Sequence, residues 1–139
     1  MYSHFNLGPE FKLPVLEDLA SRLTPEQPGA RCRVPVYGGS IQVGFKGKPT
    51  RFNSVNVAEG DFGLNVFVGT PMPFEGPIIR DGRIDRHRTP EIGEIQLHRL
   101  GYGWLADVTG IDGDHVQLTP VDRLVISRTL AKLGERLTR

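Results

Sequence analysis

Glycine and proline punctuate this chain from end to end: 17 glycines and 11 prolines stand among 139 residues, with no fixed period. Both interrupt long helices, glycine through its backbone freedom and proline through its missing N–H and its clash with the preceding turn. Between the breaks lie short runs of alternating texture, which read as strands over residues 31–37, 40–45, 51–57, 63–68, 93–97, 102–108 and 115–118. In 51–57 the alternation sets Phe52, Ser54 and Asn56 on one face and Asn53, Val55 and Val57 on the other. Gly101-Tyr102-Gly103 and Asp112-Gly113-Asp114 read as hairpin turns, because Gly and Asp tolerate the positive φ that tight hairpins need. The pattern predicts a mostly β fold, a small six- to seven-stranded β-barrel with an N-terminal helix and a C-terminal helix.

The two helices are predicted from amphipathic segments at either end. Over 14–23, Leu16, Leu19, Ala20 and Leu23 fall at helical spacing with Glu17, Asp18 and Arg22 opposite. Pro14 suits the first turn, where its missing N–H costs nothing. Two prolines and a glycine in 24–29 end that helix, and the aromatic and polar residues 1–11 read as a loose arm. Near the other end Thr119 is placed to cap a helix, with Pro120 at its first position and Asp122 three residues after the cap. Ile126, Leu130, Leu133 and Leu137 then form one apolar stripe, predicted to pack on the barrel, while Arg123, Arg128, Lys132 and Arg136 mark the other face. The expected organisation is an N-terminal arm and helix over 1–29 and a barrel with its C-terminal helix over 30–139.

Charge narrows the partners. The formal net charge is +1, from 17 basic and 16 acidic residues, so nothing global attracts nucleic acid or an anionic membrane. No stretch approaches the ~20 apolar residues of a membrane span, and residues 1–12 lack the basic and apolar regions of a secretory signal. A lone Cys32 excludes an internal disulfide and a multi-cysteine zinc site, which makes a reducing, cytoplasmic setting the expectation. His4, His87, His98 and His115 lie far apart, and none falls in a metal-ligand spacing. No glycine-rich phosphate loop with its lysine occurs, and Cys32 has no neighbouring general base. A binding protein without cofactor or metal is expected, not an enzyme.

The run Asn56-Val57-Ala58-Glu59-Gly60-Asp61-Phe62-Gly63-Leu64 resembles the signature of PilZ domains, small bacterial β-barrels that bind cyclic di-GMP. Upstream, Arg31-Cys32-Arg33-Val34-Pro35-Val36 looks like that family's arginine segment leading into its first strand, and the last strand and C-terminal helix come in the family's order. The resemblance spans about residues 30–137 and implies a ligand site at Arg31, Arg33, Asn56, Ala58 and Asp61. This chain departs from the family pattern at three points. Gly29 stands where the first motif arginine belongs, Ala58 replaces a serine and Asp61 replaces a glycine.

Each candidate has a plainer reading beside it. Arg31 and Arg33 can fork onto phosphate oxygens, or they can be solvated residues flanking an edge strand. Asn56, Ala58 and Asp61 can orient a dinucleotide, or they can form an ordinary turn. Arg80, Arg83, Arg86 and Arg88 form an alternative anion-binding cluster. Asp81 and Asp85 partly neutralise it, and a solvated hairpin is its plainer reading. Two functions remain open: a regulatory module sensing cyclic di-GMP or a protein partner, and a structural or interaction protein of a secretion, pilus or phage assembly with no nucleotide ligand.

Overall fold

A computed structural model of the chain describes residues 4–8, 11–15, 18, 31–52, 54–60, 63–69, 79–85, 87–88, 91–100, 103–110 and 115–137. Among the described residues, ten strands and one full helix follow in order: β1 (His4–Asn6), β2 (Arg31–Pro35), β3 (Ile41–Phe45), β4 (Lys48–Phe52), β5 (Ser54–Gly60), β6 (Gly63–Gly69), β7 (Ile79–Arg80), β8 (Arg83–Ile84), β9 (Ile92–Leu100), β10 (Gly103–Gly110) and α1 (Pro120–Arg136). Six of the strands form one antiparallel sheet in the order β1-β10-β9-β6-β5-β2, while β3–β4 and β7–β8 are separate two-stranded ribbons.

The fold is mostly β, as the turn-rich sequence predicts, but the expected barrel is not closed. Closure would require β1 and β2, the two ends of the sheet, to pair, and each is an edge. Alternation along a strand fixes which residues face inward; it does not fix which strands are neighbours. The β3–β4 hairpin, expected as part of the barrel wall, pairs only with itself. Its inward residues Ile41, Val43, Phe45 and Phe52 join the apolar core. Thr50, 1% exposed, donates from Oγ1 to the Ile92 carbonyl at 3.2 Å and ties this hairpin to the sheet. Its two-residue loop, Lys46 at φ 51° and Gly47 at φ 74°, has the paired positive φ angles of a type I′ turn.

Residues 51–57, read as one strand, are two strands in different sheets, β4 and β5. The alternation resets between them, so Phe52 joins Val55 and Val57 in the core although strict alternation puts it on the opposite face. Residues 115–118 hold only an isolated bridge, from His115 to Thr109. At the N-terminus, β1 pairs with β10, and Phe5, Leu7, Phe11 and Leu13 are buried, which corrects the loose arm expected over 1–11. Of the helix expected over 14–23, only Pro14, Val15 and Asp18 lie among the described residues.

The C-terminal helix forms as predicted. Thr119 Oγ1 accepts from the Asp122 N–H at 3.2 Å, and the Asp122 carboxylate accepts from the Thr119 N–H at 2.9 Å, a reciprocal capping box. Ile126, Leu130, Leu133 and Leu137 are all buried in the core that β3 and the sheet share. The helix end is held as well: Leu137 bridges Val36, and Arg136 Nε donates to the Tyr37 carbonyl at 3.2 Å.

Candidate functional site

The sheet register places four of the five residues implied by the family resemblance side by side. Arg33 stands directly opposite Asn56, and Arg31 stands opposite Ala58, in the β2–β5 ladder. The intervening positions, Val34 opposite Val55 and Cys32 opposite Val57, belong to rows whose described side chains line the core. Because side chains alternate faces along a strand, the rows through Arg33 and Asn56 lie on the face turned away from the core. Arg33 is exposed and Asn56 half-buried there. β2 is a sheet edge, and Arg31 and Arg33 lie within it, not beside it as the reading of residues flanking an edge strand expected. Asp61 lies outside the described residues.

Following the same rows across the sheet shows what shares this outer face. The row through Arg33 and Asn56 continues through Phe67, Gln96 and Asp107 to His4. The row through Arg31 and Ala58 continues through Asn65, His98 and Leu105 to Asn6. Charge is therefore graded along the face, with arginines at the β2 edge and carboxylates toward β10. Glu94, two residues before Gln96, has its carboxyl pushed above the usual range by burial and by the neighbouring charge of Asp107. Asp107 also faces His115, whose Nδ1 lies 3.6 Å from Asp107 Oδ1. An anionic ligand is favoured at the arginine end over the stretch beside Glu94 and Asp107.

The second arginine cluster is built differently. β7 and β8 form an exposed ribbon closed by Asp81 at φ 52° and Gly82 at φ 73°, a second type I′ turn, in line with the solvated-hairpin reading. Arg80 stands opposite Arg83, and Ile79 opposite Ile84. Arg88 is exposed beyond the ribbon, with Nε 3.8 Å from Asp85 Oδ2, and Asp85 Oδ1 accepts from the backbone N–H groups of His87 and Arg88. Arg86 lies outside the described residues. The cluster and the β2–β5 edge belong to different sheets.

Sequence reading missed the polar company of the outer face, Glu94, Gln96, His98 and Asp107. Glu94, Gln96 and His98 share β9 and face Asp107 across the β9–β10 hairpin, which the turn signal at 101–103 announces; that this group shares a face with Arg33 and Asn56 depends on the order β10-β9-β6-β5-β2, which no local signal encodes. It also missed Glu91, which receives a 3.1 Å hydrogen bond from Lys48 Nζ and lies 3.4 Å from Lys46 Nζ. Burial alone would raise that carboxyl, but the Lys48 hydrogen bond and the two ammonium charges outweigh it and hold Glu91 below the ordinary value. Among the described residues no group of three or more His, Cys, Asp or Glu gathers to hold a metal ion, and no helix is long and apolar enough to cross a membrane. No family model, no curated protein and no solved structure matches the chain.

Proposed function

We propose that this chain is a cytoplasmic regulatory binding module of PilZ type, without catalytic activity, whose ligand lies on the outer face at the β2–β5 edge. The observation that carries the reading is the register, Arg33 opposite Asn56 and Arg31 opposite Ala58. Guanidinium forks beside a carboxamide suit a phosphorylated guanine dinucleotide, cyclic di-GMP: the forks take phosphate oxygens and the amide takes a base edge. Asp61 adds negative charge where the family has bare backbone, and Ala58 lacks a hydroxyl, so native affinity is weak. Each defect costs about 1–3 kcal/mol, and each ~1.4 kcal/mol is tenfold in affinity.

Calorimetric titration with cyclic di-GMP, beside an unrelated dinucleotide, tests this. Ala58→Ser with Asp61→Gly strengthens binding, and adding Arg33→Ala removes it again, about tenfold or more. Arg31→Ala has the smaller effect, since only Arg33 keeps its motif position. No binding by either the native chain or the restored variant, with melting curves intact, ends the dinucleotide reading. A structural or interaction protein then becomes the better description. One observation favours that second reading independently: Ile79, 60% exposed, pairs with exposed Ile84, and Arg80 faces Arg83 across the same ribbon. Like charges directly opposed weaken a ribbon, and an acidic protein segment laid on it relieves the repulsion and covers the isoleucines.

A further inference from the structure

At the sheet edge opposite β2, the first turns of α1 stand over β1 and leave an open cleft of about 480 Å³, a volume within the range of small-molecule sites. Its polar lining comes from His4 and Asn6 of β1 and from Arg123 and Ser127 of α1. Phe5, Leu105 and Leu124 give it an apolar wall. Arg123 is half-buried, and its Nε–H is withdrawn from solvent with no hydrogen-bond partner among the described residues. An arginine cannot shed its proton to escape that cost, so the group calls for an acceptor. The helix N-terminus is not what makes the site: Thr119 and Asp122 satisfy each other's backbone N–H groups, and Pro120 has none.

We infer that the β1–α1 cleft binds a small organic oxyanion, a carboxylate or phosphate monoester on an apolar body, through the Arg123 guanidinium. Arg123 lines the cleft, and its Nε–H belongs to the same planar fork as the Nη–H groups. An oxyanion approaching side-on then accepts from Nε–H and one Nη–H together, the bidentate geometry that guanidinium matches and ammonium does not. Asn6 and Ser127 offer hydrogen bonds to the same group, and the ligand's apolar part lies against Phe5 and Leu105. The site stands at the other end of the sheet from Arg31 and Arg33 and does not depend on the dinucleotide reading.

Amide-resolved NMR titration of the full chain with phenyl phosphate, benzoate and neutral benzyl alcohol tests it. One or both anions shift the amides of residues 4–6, 105 and 121–127 saturably, the stronger one identifying the oxyanion, while the alcohol does not. Arg123→Gln and Arg123→Lys each weaken binding about tenfold or more, whereas Arg33→Ala leaves it unchanged. Ser127→Trp fills the cleft while leaving the Arg123 residue in place and blocks binding, which carries the test if the Arg123 variants fail to fold. The inference is overturned if neither anion binds, or if the alcohol binds as well as the anions. It is also overturned if the shifts map to β2 and β5, or if a folded Arg123→Gln protein binds as the native chain does.

Discussion

Two glutamates three residues apart are pulled in opposite directions by what surrounds them. Glu91 sits between Lys46 and Lys48, which overcome the effect of burial and hold its carboxyl below 4.5, the ordinary glutamate value. Its ionised form is therefore favoured by folding, and that stability is present above the ordinary value and lost as pH falls through the depressed one. Glu94 is raised above 4.5 by burial and then by Asp107. Folding favours its protonated form, so its contribution is most favourable below the ordinary value and diminishes as pH rises through the elevated one. Isosteric substitutions separate the two. Glu91→Gln lowers the melting temperature at neutral pH, with the difference closing in acid. As a partly exposed ion pair it is worth up to about 1 kcal/mol. Glu94→Gln raises the melting temperature at neutral pH, and that difference also closes in acid. Melting curves across the acid-to-neutral range check both, and a shift of the same sign in the two variants would contradict the charge environments described.

Among the elements, α1 bears directly on stability and was the most legible. Its signals are all local: a threonine cap, a proline, an aspartate at the third position and an apolar stripe. Leu130 is fully buried, so Leu130→Ala costs ~2–5 kcal/mol. Ending the chain after Leu124 removes the stripe and unfolds the domain; an unchanged melting curve would mean that α1 is dispensable. Gly134 is a sharper probe. Alanine is worth about 1 kcal/mol over glycine inside a helix, yet a Cβ at Gly134 would stand 2.8 Å from Leu13 Cδ2 and 3.2 Å from the Lys12 carbonyl. Leu13 is 1% exposed and has little room to withdraw, so Gly134→Ala destabilises by about 1–3 kcal/mol despite its helix propensity. What the sequence hid has the same physical character throughout. β1 is three residues long, and its partner β10 lies about 100 positions away, so neither length nor period announces it. The β4–β5 break rests on a reset of alternation at one position inside an otherwise continuous pattern. The arginine and asparagine positions of the candidate site were legible one by one. Their pairing was not, because it is set by the β2–β5 register, which spans the whole β3–β4 hairpin.

At the scale of the whole molecule, the open sheet has two edges with different fates. β2 carries Pro35, whose missing N–H blunts an edge against further pairing, and the chain beyond it is tied to the end of α1 at Val36 and Tyr37. β10 would be the other edge, and it is longer, eight residues with Trp104, Ala106 and Val108 facing the core. β1 covers it: His4, Phe5 and Asn6 pair with Asp107, Ala106 and Leu105, and the Leu7 N–H donates to the Trp104 carbonyl at 3.1 Å. A three-residue strand thus closes the flank of the sheet and contributes Phe5 to its core. Deleting residues 1–8 removes the buried side chains of Phe5 and Leu7, each worth about 1.5–3 kcal/mol of burial. It also bares the hydrogen-bonding edge of β10 beside the uncovered apolar surface. We expect the truncated chain to melt well below the full chain and to self-associate, because an exposed edge strand pairs with its own kind. Sedimentation velocity over a concentration series, beside melting curves, measures both effects. A truncated chain that stays monomeric and keeps its melting temperature would show that β1 is an accessory to the sheet and not its closing strand.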